Sequence, residues 1–466
     1  MLRYRGRDYG IGNHGRNMGL KARPKMSVWK YLSLGYLIAI LAGSVLLVLP
    51  VAARDGNTSY LDALFTSASA TCVTGLVVYD TVTHWSLFGQ IVILCLIQLG
   101  GLGFTTFVTI LFMMVRRGNL GLYERRAVMQ SFGGTRLKGA GTLIKRIVIG
   151  TVLLEFIGAC LLSIRFIADF GWARGIFYSV FHSVSAFCNA GFDLLGKAAP
   201  FSSLSAYQHD PLVVLTVSAL IIVGGLGFCI WGDVFDRKFN LKKCQFYTKF
   251  ILVVNSAILV LSVILFCVFE RDNAAFGSNF GEKLLSSIFN AAAARTAGFS
   301  TSAPEALSQS GFLLTVILMF IGGCSGSTAG GVKVSTFAVI VMGMWSNLRG
   351  RRDINLGKHR LDYTLVGQAL AIFVAYLSLV LFSTLIILSV ETDASFSAVL
   401  FETVSAIGTV GLSFSLTPAL SVVSKLILIL LMYMGRVGIL TLAFALRVKR
   451  SEPEVRRPLV DTLYIG

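Results

Sequence analysis

The chain has 466 residues, 55% of them hydrophobic and only 14% charged, with a formal net charge of +18. Soluble globular chains carry about 25% charged residues, so an ordinary soluble domain is excluded and an integral membrane protein is indicated. Such a basic surplus would suggest nucleic acid in a soluble chain, but here it falls in blocks between apolar runs, which excludes that partner.

Residues 1–30 form a basic tail. The uncharged run 31–51 that follows is long enough to cross ~30 Å of hydrocarbon as a helix of ~20 residues. It is too long for a signal-peptide core and ends in LPVAARDG without a convincing cleavage site, so it reads as a first span. Further spans are predicted at 87–115, 147–167, 212–231, 250–269, 312–344, 365–390 and 422–446, eight in all. Most Lys and Arg fall in 1–30, 116–146, 236–249, 347–360 and 447–457, whereas the intervening loops are nearly balanced. The positive-inside rule then places both termini in the cytoplasm, in agreement with an even number of spans. Those basic segments also offer docking surfaces for a cytoplasmic partner or anionic lipid. Eight cysteines show neither CxxC nor Cys/His metal spacing, so free thiols and no disulfide framework are expected.

Four short stretches between alternate spans align without a gap: FTSASATCVTGLV, FHSVSAFCNAGFD, IFNAAAARTAGFS and FETVSAIGTVGLS. The register is set by Gly75, Gly191, Gly298 and Gly411, with Phe65, Phe181, Ile288 and Phe401 ten residues before, and Ala70, Ala186, Ala293 and Ala406 five before. A second mark, Gly100, Gly224, Gly322 and Gly435, follows in the next span. The predicted fold is therefore an all-α polytopic membrane protein with eight transmembrane helices. Four repeats of helix, re-entrant pore loop and helix surround a pseudo-fourfold pore. The repeats cover 31–117, 141–235, 247–349 and 363–448, leaving 449–466 as a cytoplasmic tail.

Each stretch is too short to span but suits a re-entrant helix followed by an extended turn. Non-helical backbone at membrane depth is tolerated only where protein encloses it or water meets it. Four such turns around one axis make a pore whose carbonyls meet the solute, and helix C-termini aimed at it favour a cation. The candidate filter comprises Val73, Thr74 and Gly75; Asn189, Ala190 and Gly191; Thr296, Ala297 and Gly298; and Thr409, Val410 and Gly411.

Thr409, Val410 and Gly411 match the first three positions of the TVGYG potassium-channel filter. With its four degenerate units the chain, over about residues 30–448, resembles the Trk/Ktr/HKT superfamily of potassium and sodium transporters. Eight spans without an added N-terminal pair look like the KtrB-type bacterial subunit. The resemblance implies a multi-pass protein of the bacterial inner (plasma) membrane that carries K+ through filter backbone carbonyls, with Na+ as a second candidate ion. It further implies a homodimer resting on a cytoplasmic ring of RCK-type nucleotide-binding subunits, so that nucleotide acts only through that partner. In the family, serine at the first filter glycine accompanies sodium selectivity; all four positions here are glycine. The loops reading VTG, NAG and TAG depart from TVG.

Repeat three alone is expected to have an interrupted second span, because Gly322, Gly323, Cys324, Ser325, Gly326, Ser327, Thr328, Ala329, Gly330 and Gly331 contain five glycines. Each costs about 1 kcal/mol relative to alanine in a helix interior. The resemblance implies a gating loop here, with Lys333 read as snorkelling at its edge. Arg436, in the middle of the last predicted span, occupies the slot after Gly435, where a charge usually faces an aqueous cavity or a partner; the resemblance implies that it faces the pore and meets that loop. Glu155 fits a structural pair as well as an ion contact, whereas Glu402 is expected to support the fourth filter turn. Residues 323–326 also form GxSG, the nucleophile pattern of intramembrane serine proteases. Only His359 follows Ser325, in a basic loop, so an enzyme is not expected. Na+-coupled symport remains the alternative to a gated pore.

Overall fold

The computed structural model describes residues 28–103, 106–107, 109, 140–197, 199–351, 353–356, 359–439 and 441. Both basic tails, the basic stretch 116–139 and the far ends of the second and eighth predicted spans lie outside them.

Repeat one contains α1 (Val28–Val48), the half-length α2 (Tyr60–Cys72), a short α3 (Thr81–His84) and α4 (Leu87–Leu102). Repeat two has α5 (Ala140–Phe170), α6 (Trp172–Cys188), α7 (Pro211–Gly224) and α8 (Phe228–Asp236). Repeat three runs through α9 (Phe246–Phe269), α10 (Phe280–Ala293), α11 (Gln309–Phe320) and α12 (Val334–Leu348). Repeat four consists of α13 (Thr364–Val390), α14 (Phe396–Gly408) and α15 (Val422–Val437). The fold is thus mostly helical. A small antiparallel hairpin, β1 (Ile354–Leu356) with β2 (His359–Leu361), is an addition to the all-helical expectation.

Among the described residues four helices, α1, α5, α9 and α13, are long and apolar enough to cross a membrane. These first helices expose Val45, Ile149, Phe156, Val253 and Leu385. Apolar surface of this extent is stable against lipid and unfavourable against water. The second helices are shorter. At 12–16 residues, α4, α7, α11 and α15 span about 18–24 Å, short of the ~30 Å hydrocarbon layer.

That shortness corrects the expectation that only repeat three has a broken second span. Gly103, Gly227 and Gly438 take φ of 82°, 90° and 87°, a left-handed backbone that no α-helix continues through. After α7 the chain bends by 90° into α8. The sequence signal is a glycine three residues before each break, at Gly100, Gly224 and Gly435. There a Cβ would strike the carbonyls of Thr71, Phe187 and Ile407 at the ends of α2, α6 and α14. In repeats one, two and four the second helix therefore lies against the short helix of its own repeat by backbone contact.

Local chemistry sets the helix starts. Ser86, Asp210, Ser308 and Ser421 cap α4, α7, α11 and α15 by accepting N–H bonds at 2.9–3.4 Å. Phe65, Phe181 and Phe401 are fully buried and anchor α2, α6 and α14; in repeat three Phe289, next to Ile288, takes that role. One apolar cluster joins repeats one and two, and another joins repeats four and one. Lys425 on α15 meets Asp62 on α2 at 2.7 Å, an ion pair that closes the circle between the last repeat and the first.

Candidate functional site

The short helices α2, α6 and α14 end in residues with a left-handed backbone, Val73, Asn189 and Thr409, at φ of 57°, 59° and 50°. Thr296, two residues before Gly298, has φ 77°. Two residues on, Gly75, Gly191, Gly298 and Gly411 have φ of 93°, 70°, 73° and 95°. Left-handed and ordinary residues thus alternate in all four turns, which points successive carbonyls to one side instead of to opposite sides as in a strand. For Val73 and the two threonines the conformation is an outlier costing about 1–3 kcal/mol, retained only where the surroundings impose it.

The four glycines form a closed cycle. A Cβ on Gly75 would meet the Ala190 carbonyl at 2.5 Å, and one on Gly191 the Ala297 carbonyl at 2.9 Å. On Gly298 it would meet the Val410 carbonyl at 2.5 Å, and on Gly411 the Thr74 carbonyl. Each glycine therefore abuts the carbonyl of the next repeat, and the fourth returns to the first. Only a residue without a side chain fits at these contacts.

Hydroxyls on these short helices hold the turns. Ser69 Oγ accepts from Gly75 N and Ser405 Oγ from Gly411 N, both at 3.0 Å, while Ser185 Oγ donates to the Phe192 carbonyl at 2.7 Å. These serines stand six residues before their glycines, an offset visible in the alignment but missed in reading it; repeat three has Ala292 there. Nine residues before, Glu402 accepts from Ser413 Oγ at 2.5 Å and Thr417 Oγ1 at 2.9 Å. His182, at the same offset, accepts at Nε2 from Leu194 N at 3.3 Å. Glu155 lies elsewhere, accepting from Gln98 Nε2 at 3.3 Å.

A cavity of about 470 Å³ opens on one side of the ring, lined by all four glycines with Asp80, Asp193 and Glu305. Another, of about 410 Å³, opens on the other side and is lined by Ser325, Gly326, Ser327, Ala329, Gly331, Lys333 and Arg436. Between them runs the non-helical stretch 321–333, containing every residue of the expected loop, Gly322 to Gly331. A parallel bridge between Ile321 and Val332 closes its base. Cys324 is fully buried and its N–H donates to the Gly225 carbonyl at 3.0 Å; Gly326 O accepts from Phe228 N at 2.9 Å. Gly330 lies against the Thr409 side chain, at the foot of the fourth turn.

Arg436 donates to the carbonyls of Thr328 in this loop and Gly100 at the end of α4, and at 3.4 Å to Gly101 O. It joins repeats four, three and one across the axis. Lys333 does not snorkel. Its Nζ turns back and donates to Ala329 O at 2.6 Å and Gly330 O at 3.3 Å, because the glycine-rich loop leaves carbonyls that lack helical partners.

A helical membrane protein whose short helices meet in a ring of glycines, with a loop and an arginine beneath it, is the class that fold and site define. The description "cation transport protein" of the TrkH family matches residues 41–456, and the chain belongs to that family. It is 39% identical over 94% of its length to the potassium/sodium uptake protein NtpJ of Enterococcus hirae, covering 96% of that protein. With the Ktr system potassium uptake protein B of Vibrio alginolyticus it shares 39% identity, over 96% of this chain and 97% of the other. With that of Bacillus subtilis it shares 38%, over 92% and 94%. The crystal structure of the potassium transporter TrkH from Vibrio parahaemolyticus superposes with a TM-score of 0.72 at 19% identity, over 93% of this chain and 87% of that one, a likeness of fold. The relatives are named as uptake proteins, not as hydrolases, which ends the protease reading of residues 323–326.

Proposed function

We propose that this chain is the ion-conducting subunit of a Ktr-type K+ uptake system in the bacterial plasma membrane, crossing it eight times with both termini in the cytoplasm. The observation that carries the reading is the closed cycle of glycine against neighbouring carbonyl through Gly75, Gly191, Gly298 and Gly411. Carbonyls fixed in such a ring replace the hydration shell of a dehydrated cation. Three helix C-termini, at Val73, Asn189 and Thr409, add the negative ends of their dipoles. The acidic cavity is the outer mouth, and the cavity beneath the loop faces the cytoplasm. Loop 322–331 with Arg436 is the gate. The names of the Ktr relatives support K+ as the ion.

The working form is a homodimer regulated by a cytoplasmic RCK-type ring that binds nucleotide. Reconstitution in liposomes with K+ and Na+ gradients varied separately tests the reading. A reversal potential that follows the K+ gradient alone supports a gated pore; a potential of fixed K+ and Na+ stoichiometry would replace it with coupled symport. That second reading draws on the name of the Enterococcus relative.

A further inference from the structure

The residue three places before the filter glycine is Cys72, Cys188 and Gly408 in repeats one, two and four, but Arg295 in repeat three. Arg295 is 7% exposed. Its Nη2 donates to Asn255 Oδ1 on α9 at 2.6 Å, and its Nε has no hydrogen-bond partner among the described residues. Among the described residues no carboxylate pairs with it, and the acceptor its side chain meets is a neutral amide, which leaves the charge in place. The two other cations near the loop differ, since Lys333 and Arg436 are both engaged with loop carbonyls. A charge buried in a membrane protein with only a neutral partner is expensive and marks function by default.

We propose that Arg295 is an occupancy-setting residue of the filter: a fixed positive charge at the end of α10 that weakens cation binding so that the ion can leave. The inference rests on the filter reading given above. The ends of α2, α6 and α14 present their partial negative charge to the ring, whereas at α10 the guanidinium offsets it. Conduction needs a site that admits an ion without retaining it, and one cationic repeat among four lowers the affinity without touching the carbonyl cage. Three residues of chain reach at most about 11 Å, so Arg295 stands close to the ring, and a unit charge even roughly 12 Å away changes ion affinity about tenfold at an effective dielectric near 20.

The test is K+ titration calorimetry on the full-length protein in nanodiscs, paired with K+ flux. Arg295→Met keeps the length and removes the charge, so K+ should bind about tenfold more tightly while maximal flux falls. Arg295→Lys should keep wild-type affinity. Asn255→Asp leaves Arg295 in place but neutralises it with a carboxylate, and should tighten binding in the same direction; it decides the matter if Arg295→Met does not fold. Unchanged or weaker K+ binding in folded Arg295→Met or Asn255→Asp overturns the proposal, as does an Arg295→Lys protein that behaves like the Met variant. Gly298→Ser, measured alongside, separates the two readings. If it leaves the K+ over Na+ preference intact, the filter reading fails and this one with it; if it alters preference while the Arg295 variants leave affinity alone, only this one fails.

Discussion

Serine at a glycine of the ring proposed as the filter is the most informative perturbation, and Gly298→Ser the best placed. Gly298 has φ 73°, and its Cβ would stand 2.5 Å from the Val410 carbonyl and 3.1 Å from the Cα atoms of Gly191 and Gly411. A left-handed backbone costs a side-chain-bearing residue about 1–2 kcal/mol. The larger effect is geometric, because ordinary contact begins near 3.4 Å and the nearest atom is a carbonyl oxygen of the next repeat. That oxygen must move by about 1 Å, and with it one ligand of the ring. If the ring's preference for K+ rests on its carbonyls, loss of about 1.4 kcal/mol of differential binding lowers the K+ over Na+ ratio about tenfold. The assay is paired K+ and Na+ uptake in a bacterium lacking its own K+ uptake systems, with membrane insertion checked by immunoblot. Gly367→Ala is the control, since a Cβ there meets nothing within 4 Å. A wild-type ion ratio in inserted Gly298→Ser protein would refute the reasoning.

Deleting residues 324–330, or changing Arg436 to Ala, removes the span from Thr328 O to Gly100 O and should raise K+ flux at unchanged ion preference. Loss of flux in folded protein would put both in the conduction path instead. Ser405→Ala frees the buried Gly411 N–H, a destabilisation of about 1–3 kcal/mol, seen as a lower melting temperature together with a weaker K+ preference; a change in neither would remove the serine from the filter's support. Glu402→Leu strands the hydroxyls of Ser413 and Thr417 and should lower thermal stability, whereas Glu402→Gln, still an acceptor, should lose less. Equal losses would mean that the charge, not the acceptor, matters.

Much of this arrangement is visible in the residues. Gly75, Gly191, Gly298 and Gly411 announce themselves because a position that excludes every side chain leaves one residue type. The loop at 322–331 was legible for the same reason, since five glycines in ten residues cannot hold a helix. The breaks after Leu102, Gly224 and Val437 were not, because a hydropathy window averages over one left-handed glycine in an apolar run. Lys333 was misread from its place at the edge of a span; only the folded loop supplies the carbonyls that draw it back. Asp62 and Lys425 are 363 residues apart, a pairing that no local pattern encodes.

The central claim is that the glycine ring binds the conducted cation. X-ray data from crystals in which Rb+ or Tl+ replaces K+ test it most directly, through anomalous density on the axis. The ring predicts peaks within carbonyl contact of Thr74, Ala190, Ala297 and Val410, beside Gly75, Gly191, Gly298 and Gly411. Peaks confined to other parts of the molecule, with none at the ring, would contradict it.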